Sequence, residues 1–173
     1  ASQSNYDEDA SGDACDQDDD NDGVLDADDL CQQGVVGWLS TTQHDHDSDG
    51  CKDAIEDADD DNDGVYDFAD FCSTGTLAWI SSGQTDYDGD GCADADEDVD
   101  DDNDRICDAT QLDDRWSCTV STVEVDLCPT SSLTFTSSNS NDADRDGCED
   151  TNEDIDDDND GFVDSEDACP MLA

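Results

Sequence analysis

The chain has 173 residues, of which 54 are Asp or Glu and four are Lys or Arg, giving a formal net charge of −50. Val, Ile, Leu and Phe together number 25, under the level of about 20% below which a highly charged chain cannot fold on apolar burial alone. The charge disfavours nucleic acid and anionic membrane surfaces as partners. No apolar run approaches the roughly 20 residues that cross a bilayer, so no membrane insertion is expected.

Ten cysteines, none in a CxxC pair, point to disulfides and an oxidising, extracellular or cell-surface setting rather than to zinc. With no leader and no initiator Met, Ala1 reads as a processed or fragment terminus.

The string DDDND recurs with its Asn at Asn21, Asn62, Asn103 and Asn159, spaced 41, 41 and 56. Cys31, Cys72, Cys128 and Cys169 keep the same beat, at 41, 56 and 41. The chain is therefore a single repeat array. Repeat 1 is truncated and covers 1–31, repeat 2 covers 32–72, repeat 3 covers 73–128 and repeat 4 covers 129–169. Repeat 3 carries about 15 extra residues near 105–120, with their own cysteines Cys107 and Cys118.

In chain order, each repeat offers two loops with the spacing D-x-D-x-D-G-x-x-D-x-x-D/E. Ca²⁺ takes six to eight oxygens at about 2.3–2.6 Å, and alternate residues of a tight loop can all point inward. Glycine at position 6 permits the turn, and positions 9 and 12 close the ligand sphere.

Repeat 1 begins with a degenerate loop: Asn5, Asp7, Asp9, Asp13 and Asp16 keep ligand positions, but Ala10 replaces glycine. Its second loop is Asp18, Asp20, Asp22, Asp26 and Asp29. Repeat 2 has Asp45, Asp47, Asp49, Asp53 and Glu56, then Asp59, Asp61, Asp63, Asp67 and Asp70. Repeat 3 has Asp86, Asp88, Asp90, Asp94 and Glu97, then a departing loop, Asp100, Asp102, Asp104 and Asp108, with Arg105 at position 6 and Gln111 at position 12. Repeat 4 has Asp142, Asp144, Asp146, Asp150 and Glu153, then Asp156, Asp158, Asp160, Asp164 and Asp167. Six loops are strong and two are departures. Asp57, Asp60, Asp98, Asp101, Asp154 and Asp157 stand between loops, placed to share further ions.

The polar connectors place Val36/Trp38, Leu77/Trp79 and Leu133/Phe135 at period two, which predicts short β-strands with one apolar face. Packing is the expected role of Trp38, Trp79 and Phe135, with a binding stripe the rival. His44 and His46 fall outside the ligand positions and are expected to be exposed. Nothing in the acidic parts has helical periodicity, and no nucleophile–base arrangement stands apart from the repeat, so no enzyme is expected. The Ser/Thr-rich connectors could carry O-glycans.

DNDGVYDFADFC and DNDGFVDSEDACP resemble thrombospondin type 3 repeats, over nearly the whole chain apart from the insertion. The resemblance implies an irregular, calcium- and disulfide-stabilised array with little or no helix. It also implies an extracellular location and the pairs Cys31–Cys51, Cys72–Cys92 and Cys128–Cys148, each 20 residues apart. Cys107–Cys118 would close the insertion. Proline is missing after Cys31 and Cys72, and the connectors differ, so the family's cell-binding roles do not carry over.

Cys15 and Cys169 remain. From Cys169 to Cys15 of a following copy is 19 residues, close to the 20 of the other pairs. A head-to-tail Cys169–Cys15 bond would make the chain a protomer of a filament or surface stalk. The rivals are intrachain closure, a spacer or adhesion module of a larger surface protein, and a calcium buffer.

Overall fold

Hydrogen bonds from backbone N–H groups to nearby carboxylates, rather than helix or sheet ladders, fold this backbone. Aspartate accepts from the N–H two residues on and so competes with regular structure. The computed structural model describes residues 4–108, 118 and 125–172. Among these there is no helix and no extended strand, only an isolated β-bridge residue at Ile106. The chain forms two compact units, Ala1–Ser81 and Ser82–Ala173.

All eight loops close alike. The N–H of position 9 donates to the carbonyl just before position 1, as Asp53 does to His44 and Asp164 to Ile155, both at 3.0 Å. The position 9 carboxylate accepts the N–H of position 2, as in Asp53 with His46 and Asp67 with Asp60. Position 3 accepts from position 5, as Asp61 does from Asp63 at 3.2 Å. Position 5 accepts from position 7, as Asp63 does from Val65 at 2.6 Å.

Position 4 is left-handed in every loop, at φ between 50° and 78°, in Glu8, Asn21, Ser48, Asn62, Gly89, Asn103, Arg145 and Asn159. Asn tolerates that region best among non-glycine residues. The Asn of DDDND has a second use. Asn21, Asn62, Asn103 and Asn159 donate their side-chain amides to Asp7, Asp47, Asp88 and Asp144, tying each second loop to position 3 of the loop before it.

Position 6 is also left-handed in seven loops, including Arg105 at φ 84°. The Arg105 N–H still reaches Asp100 at 3.1 Å, as the Gly64 N–H reaches Asp59 at 3.1 Å. The departing loop of repeat 3 thus keeps the common backbone. Ala10 is not left-handed.

Where an EF-hand would continue into a helix, these loops make one turn. The N–H of position 12 donates to the carbonyl of position 8, as Asp29 does to Leu25 (3.0 Å) and Asp70 to Tyr66 (3.1 Å). In the second loop of each repeat the chain then reaches a cysteine two residues on, whose N–H returns to the position 12 carboxylate (Cys31 to Asp29 and Cys72 to Asp70, both 2.6 Å).

The disulfides Cys31–Cys51, Cys107–Cys118 and Cys128–Cys148 are formed. Cys72 and Cys92 are also disulfide-bonded. Cys15 and Cys169 are free and exposed.

The connectors are not the expected strands. Their N–H groups go to the preceding loop instead: Gly34 to Asp20 (2.8 Å), Gly75 to Asp61 (2.9 Å) and Ser131 to Asp102 (2.6 Å). Further along, the N–H groups of Ser40, Ser81 and Ser137 donate to the carbonyls of Asp22, Asp63 and Asp104. A connector tethered in this way has no neighbouring strand to pair with. Nor does it bury a continuous apolar face. Phe135 is buried and Trp38 and Trp79 are half-buried, whereas Val36, Leu77 and Leu133 are exposed. Lys52 lies over the Trp38 ring, its ammonium 5.4 Å from the centroid.

Gly50 and Gly64 separate two reasons for glycine at position 6. Both are left-handed (φ 89° and 98°), but a Cβ on Gly50 would lie 2.2 Å from Asp29 Oδ1, whereas a Cβ on Gly64 meets nothing within 4 Å. Gly64→Ala should cost about 1–2 kcal/mol through backbone strain, and Gly50→Ala distinctly more. Denaturant unfolding in calcium measures both, and equal losses would show that Asp29 does not press on Gly50.

Candidate metal centres

The interior is made of carboxylates. Among the described residues, the largest fully buried side chains are Asp20, Asp22, Asp45, Asp61, Asp63, Asp86, Asp102, Asp104 and Asp142, with Cys92, Cys107 and Ser131. Meanwhile Phe68 and Phe71 are 88% and 81% exposed. This inverts the usual partition, since an unpaired buried charge costs several kcal/mol or more.

These carboxylates converge rather than disperse. In Asp18/Asp20/Asp22, Asp45/Asp47/Asp49 and Asp59/Asp61/Asp63, which are positions 1, 3 and 5 of three loops, one oxygen from each residue lies within 4.8 Å of the others. Asp7, Asp9 and Asp16 converge in the same way in the degenerate first loop. Asp57 and Asp60, between loops, converge with Asp53, position 9 of the loop before them. The four Arg and Lys cannot offset this charge.

One oxygen of many of these groups is spent on the backbone and the other is left over. Asp18 Oδ1, Asp22 Oδ2, Asp29 Oδ2, Glu56 Oε2, Asp59 Oδ1, Asp156 Oδ1 and Asp158 Oδ2 are buried without a hydrogen-bond partner. So are Asp57 Oδ2, Asp60 Oδ1, Asp98 Oδ2, Asp101 Oδ1, Asp154 Oδ2 and Asp157 Oδ1 between the loops. Buried oxygens without donors, converging in groups, are what a hard cation requires. Nitrogen and sulfur ligands, which would favour transition metals, are absent from these groups.

Burial raises the carboxyl pKa of many members, with neighbouring carboxylates adding to it. Asp60, crowded by Asp67 and Asp53, is pushed to about 7. Asp104 rises to about 7 beside Asp102, Asp144 to about 7 beside Asp146, and Asp47 to about 6 beside Asp49.

Two expectations change. His46 is half-buried, not exposed, and its Nε2 pairs with Gly75 O at 2.8 Å. Gln111 lies outside the described residues, and the backbone gives position 12 of that loop to another residue. The N–H of Asp126 donates to the carbonyl of Cys107, which is position 8, at 3.0 Å, the bond Asp29 makes to Leu25. Asp126 then accepts the N–H of Cys128 at 2.6 Å, as Asp29 does that of Cys31. The signal was present in the sequence as DLC, written identically at 29–31 and 126–128.

The sign of the pH dependence follows from these shifts. Carboxyls whose folded pKa lies at about 6 to 7 against an ordinary value of 3.8 contribute stability in full below 3.8, and that contribution is lost as pH rises through 6 to 7. The metal-stripped chain should therefore melt at a higher temperature at pH 5 than at pH 8. In excess calcium the order should reverse, because protons compete for the same oxygens. Thermal unfolding in metal-free and calcium buffers checks this, and the same order in both would break the link between burial and metal.

No family model matches the chain, and no curated protein matches it either, so function rests on the geometry of these loops.

Proposed function

We propose that the protein is an extracellular calcium-binding structural array of the type its sequence resembles. Calcium would serve in place of a hydrophobic core. The observation that carries this reading is the set of buried, unpartnered carboxylate oxygens repeated in register through loops of one backbone design. All-oxygen donors at EF-hand spacing favour Ca²⁺ over Mg²⁺, which holds its own waters and dehydrates reluctantly. The disulfides support an oxidising compartment. No described helix is long and apolar enough to cross a membrane.

The mechanism is linkage. An ion that binds only the folded loop stabilises it by RT ln(1 + [L]/Kd), about 1.4 kcal/mol per site at ten times Kd. Extracellular modules of this kind bind at about 10⁻⁴–10⁻³ M, so they are filled outside cells and empty where calcium is scarce.

A second reading adds head-to-tail assembly through Cys169 of one copy and Cys15 of the next, favoured by the exposure of both free thiols. Such a junction would have its own geometry. Ser11, not Cys15, occupies the position 7 held by Cys51, Cys92 and Cys148 in other repeats. A Cβ at Gly50 or Gly147 would lie 2.2 or 2.1 Å from the preceding aspartate.

Excess EGTA should unfold the disulfide-intact chain, seen as a larger hydrodynamic radius and a changed far-UV spectrum. No change in either would sink the structural role of calcium. For assembly, material from the native source kept in calcium should give a ladder on a non-reducing gel that collapses to one 18.5 kDa band on reduction. A monomer band in both lanes would remove the covalent link.

A further inference from the structure

We infer that Asp126 completes a divalent-cation site with Asp100, Asp102, Asp104 and Asp108, making a metal loop whose eighth and twelfth positions are separated by the insertion. The inference deepens the calcium reading above and rests on it.

Five observations converge on Asp126. Its backbone makes the bond from position 12 to position 8 across the inserted residues. The count agrees: position 12 would be residue 111 without the insertion, and the DDDND spacing lengthens from 41 to 56, which moves it to 126. The neighbour beyond is also shared. The N–H of Leu127 donates to Asp146 O at 2.8 Å, and that of Leu30 to Asp49 O at 2.8 Å. A Cβ on Gly147 would lie 2.1 Å from Asp126 Oδ1, as one on Gly50 would lie 2.2 Å from Asp29 Oδ1.

The fifth observation points to a ligand. Asp126 is 6% exposed, and with Oδ1 held by Cys128 N–H its Oδ2 is buried without a partner. Asp104 is fully buried, and its Oδ2 is likewise unpartnered, as is Asp108 Oδ1. Asp102 spends its oxygens on the N–H groups of Asp104 and Ser131, and Asp100 accepts from Arg105, the pattern that fixes positions 3 and 1 in the other loops. Burial, with the carboxylates of Asp104, Asp102 and Asp108 beside it, raises the Asp126 carboxyl to about 8.

This arrangement gives the insertion a defined anchorage. Its first disulfide cysteine, Cys107, is position 8 of the loop, and its far end returns at position 12. A metal bound there would hold both ends of the insertion.

The test counts calcium per chain by equilibrium dialysis on the full oxidised protein, comparing wild type with Asp126→Asn, Asp126→Glu and Gln111→Ala. Asp126→Asn should bind one ion fewer, Asp126→Glu should restore it, and Gln111→Ala should match wild type. An unchanged count and affinity in Asp126→Asn overturns the inference while leaving the array intact. A wild type that binds no calcium overturns the function reading and the inference together. Should Asp126→Asn lose the Cys128–Cys148 bond and misfold, a calcium-soaked wild-type crystal decides. An ion about 2.3–2.6 Å from an Asp126 oxygen supports the site, and an ion in that loop without Asp126, or no ion there, overturns it.

Discussion

The repulsion between buried carboxylates is the constraint on which the rest of this structure depends. Two like charges about 4 Å apart repel by roughly 1 kcal/mol in water and more where water is excluded, and here three or more share each group. Among the described residues little apolar interior offsets this, since the side chains that lose all solvent contact are mostly aspartates. Two routes remain open to the folded chain. Protons neutralise the carboxyls at acidic pH, or a divalent cation does so at neutral pH. The raised carboxyl pKa values and the unpartnered oxygens are two consequences of that one cause.

The backbone is arranged so that both routes use the same oxygens. Each aspartate at positions 3, 5 and 9 spends one oxygen on a nearby N–H, which fixes the direction of its side chain before any ion arrives. At position 3 the second oxygen is mostly taken as well, by a connector N–H or an Asn side chain, whereas oxygens such as Asp18 Oδ1, Asp22 Oδ2 and Asp59 Oδ1 have no donor. Regular secondary structure would satisfy those N–H groups more cheaply, but it would leave the carboxylates free to swing into solvent. Irregular backbone is therefore the means of organising the ligands, and disulfides hold the loops where an apolar core would otherwise do so.

Much of this was legible in the sequence because the chemistry is local. Ligand spacing within a twelve-residue loop, the 41-residue beat and the 20-residue cysteine spacing all depend on short stretches of chain. The strand expectation failed for a tertiary reason: alternation in GVVGWLS describes which side chains could share a face. It cannot show that Gly34 and Ser40 give their N–H groups to the loop before them. Asp126 was missed because counting along the chain stops at an insertion, whereas backbone hydrogen bonding does not. The identical DLC tripeptides carried the information, but it takes the bond to Cys107 to show that 126 and 29 are the same position.

The substitutions that the array tolerates follow from the same geometry. Position 4 of the first loop accepts Glu, Ser, Gly and Arg, since the left-handed backbone is the demand made there, whereas in the second loop it is Asn in all four repeats, with a side-chain amide bonded to the loop before. Position 6 is stricter, for reasons that differ between the two loops of a repeat. In the first loop the preceding repeat's position 12 carboxylate leaves no room for a Cβ, as at Gly50 and Gly147. In the second loop the space is open, with nothing within 4 Å of a Cβ at Gly64 or Gly161, so only backbone strain opposes a side chain. Arg105 stands at position 6 of a second loop, with the left-handed φ retained. At Gly147 the same replacement would run into the Asp126 carboxylate. The rule for position 6 is thus set by whether a neighbouring loop's ligand must pass over it.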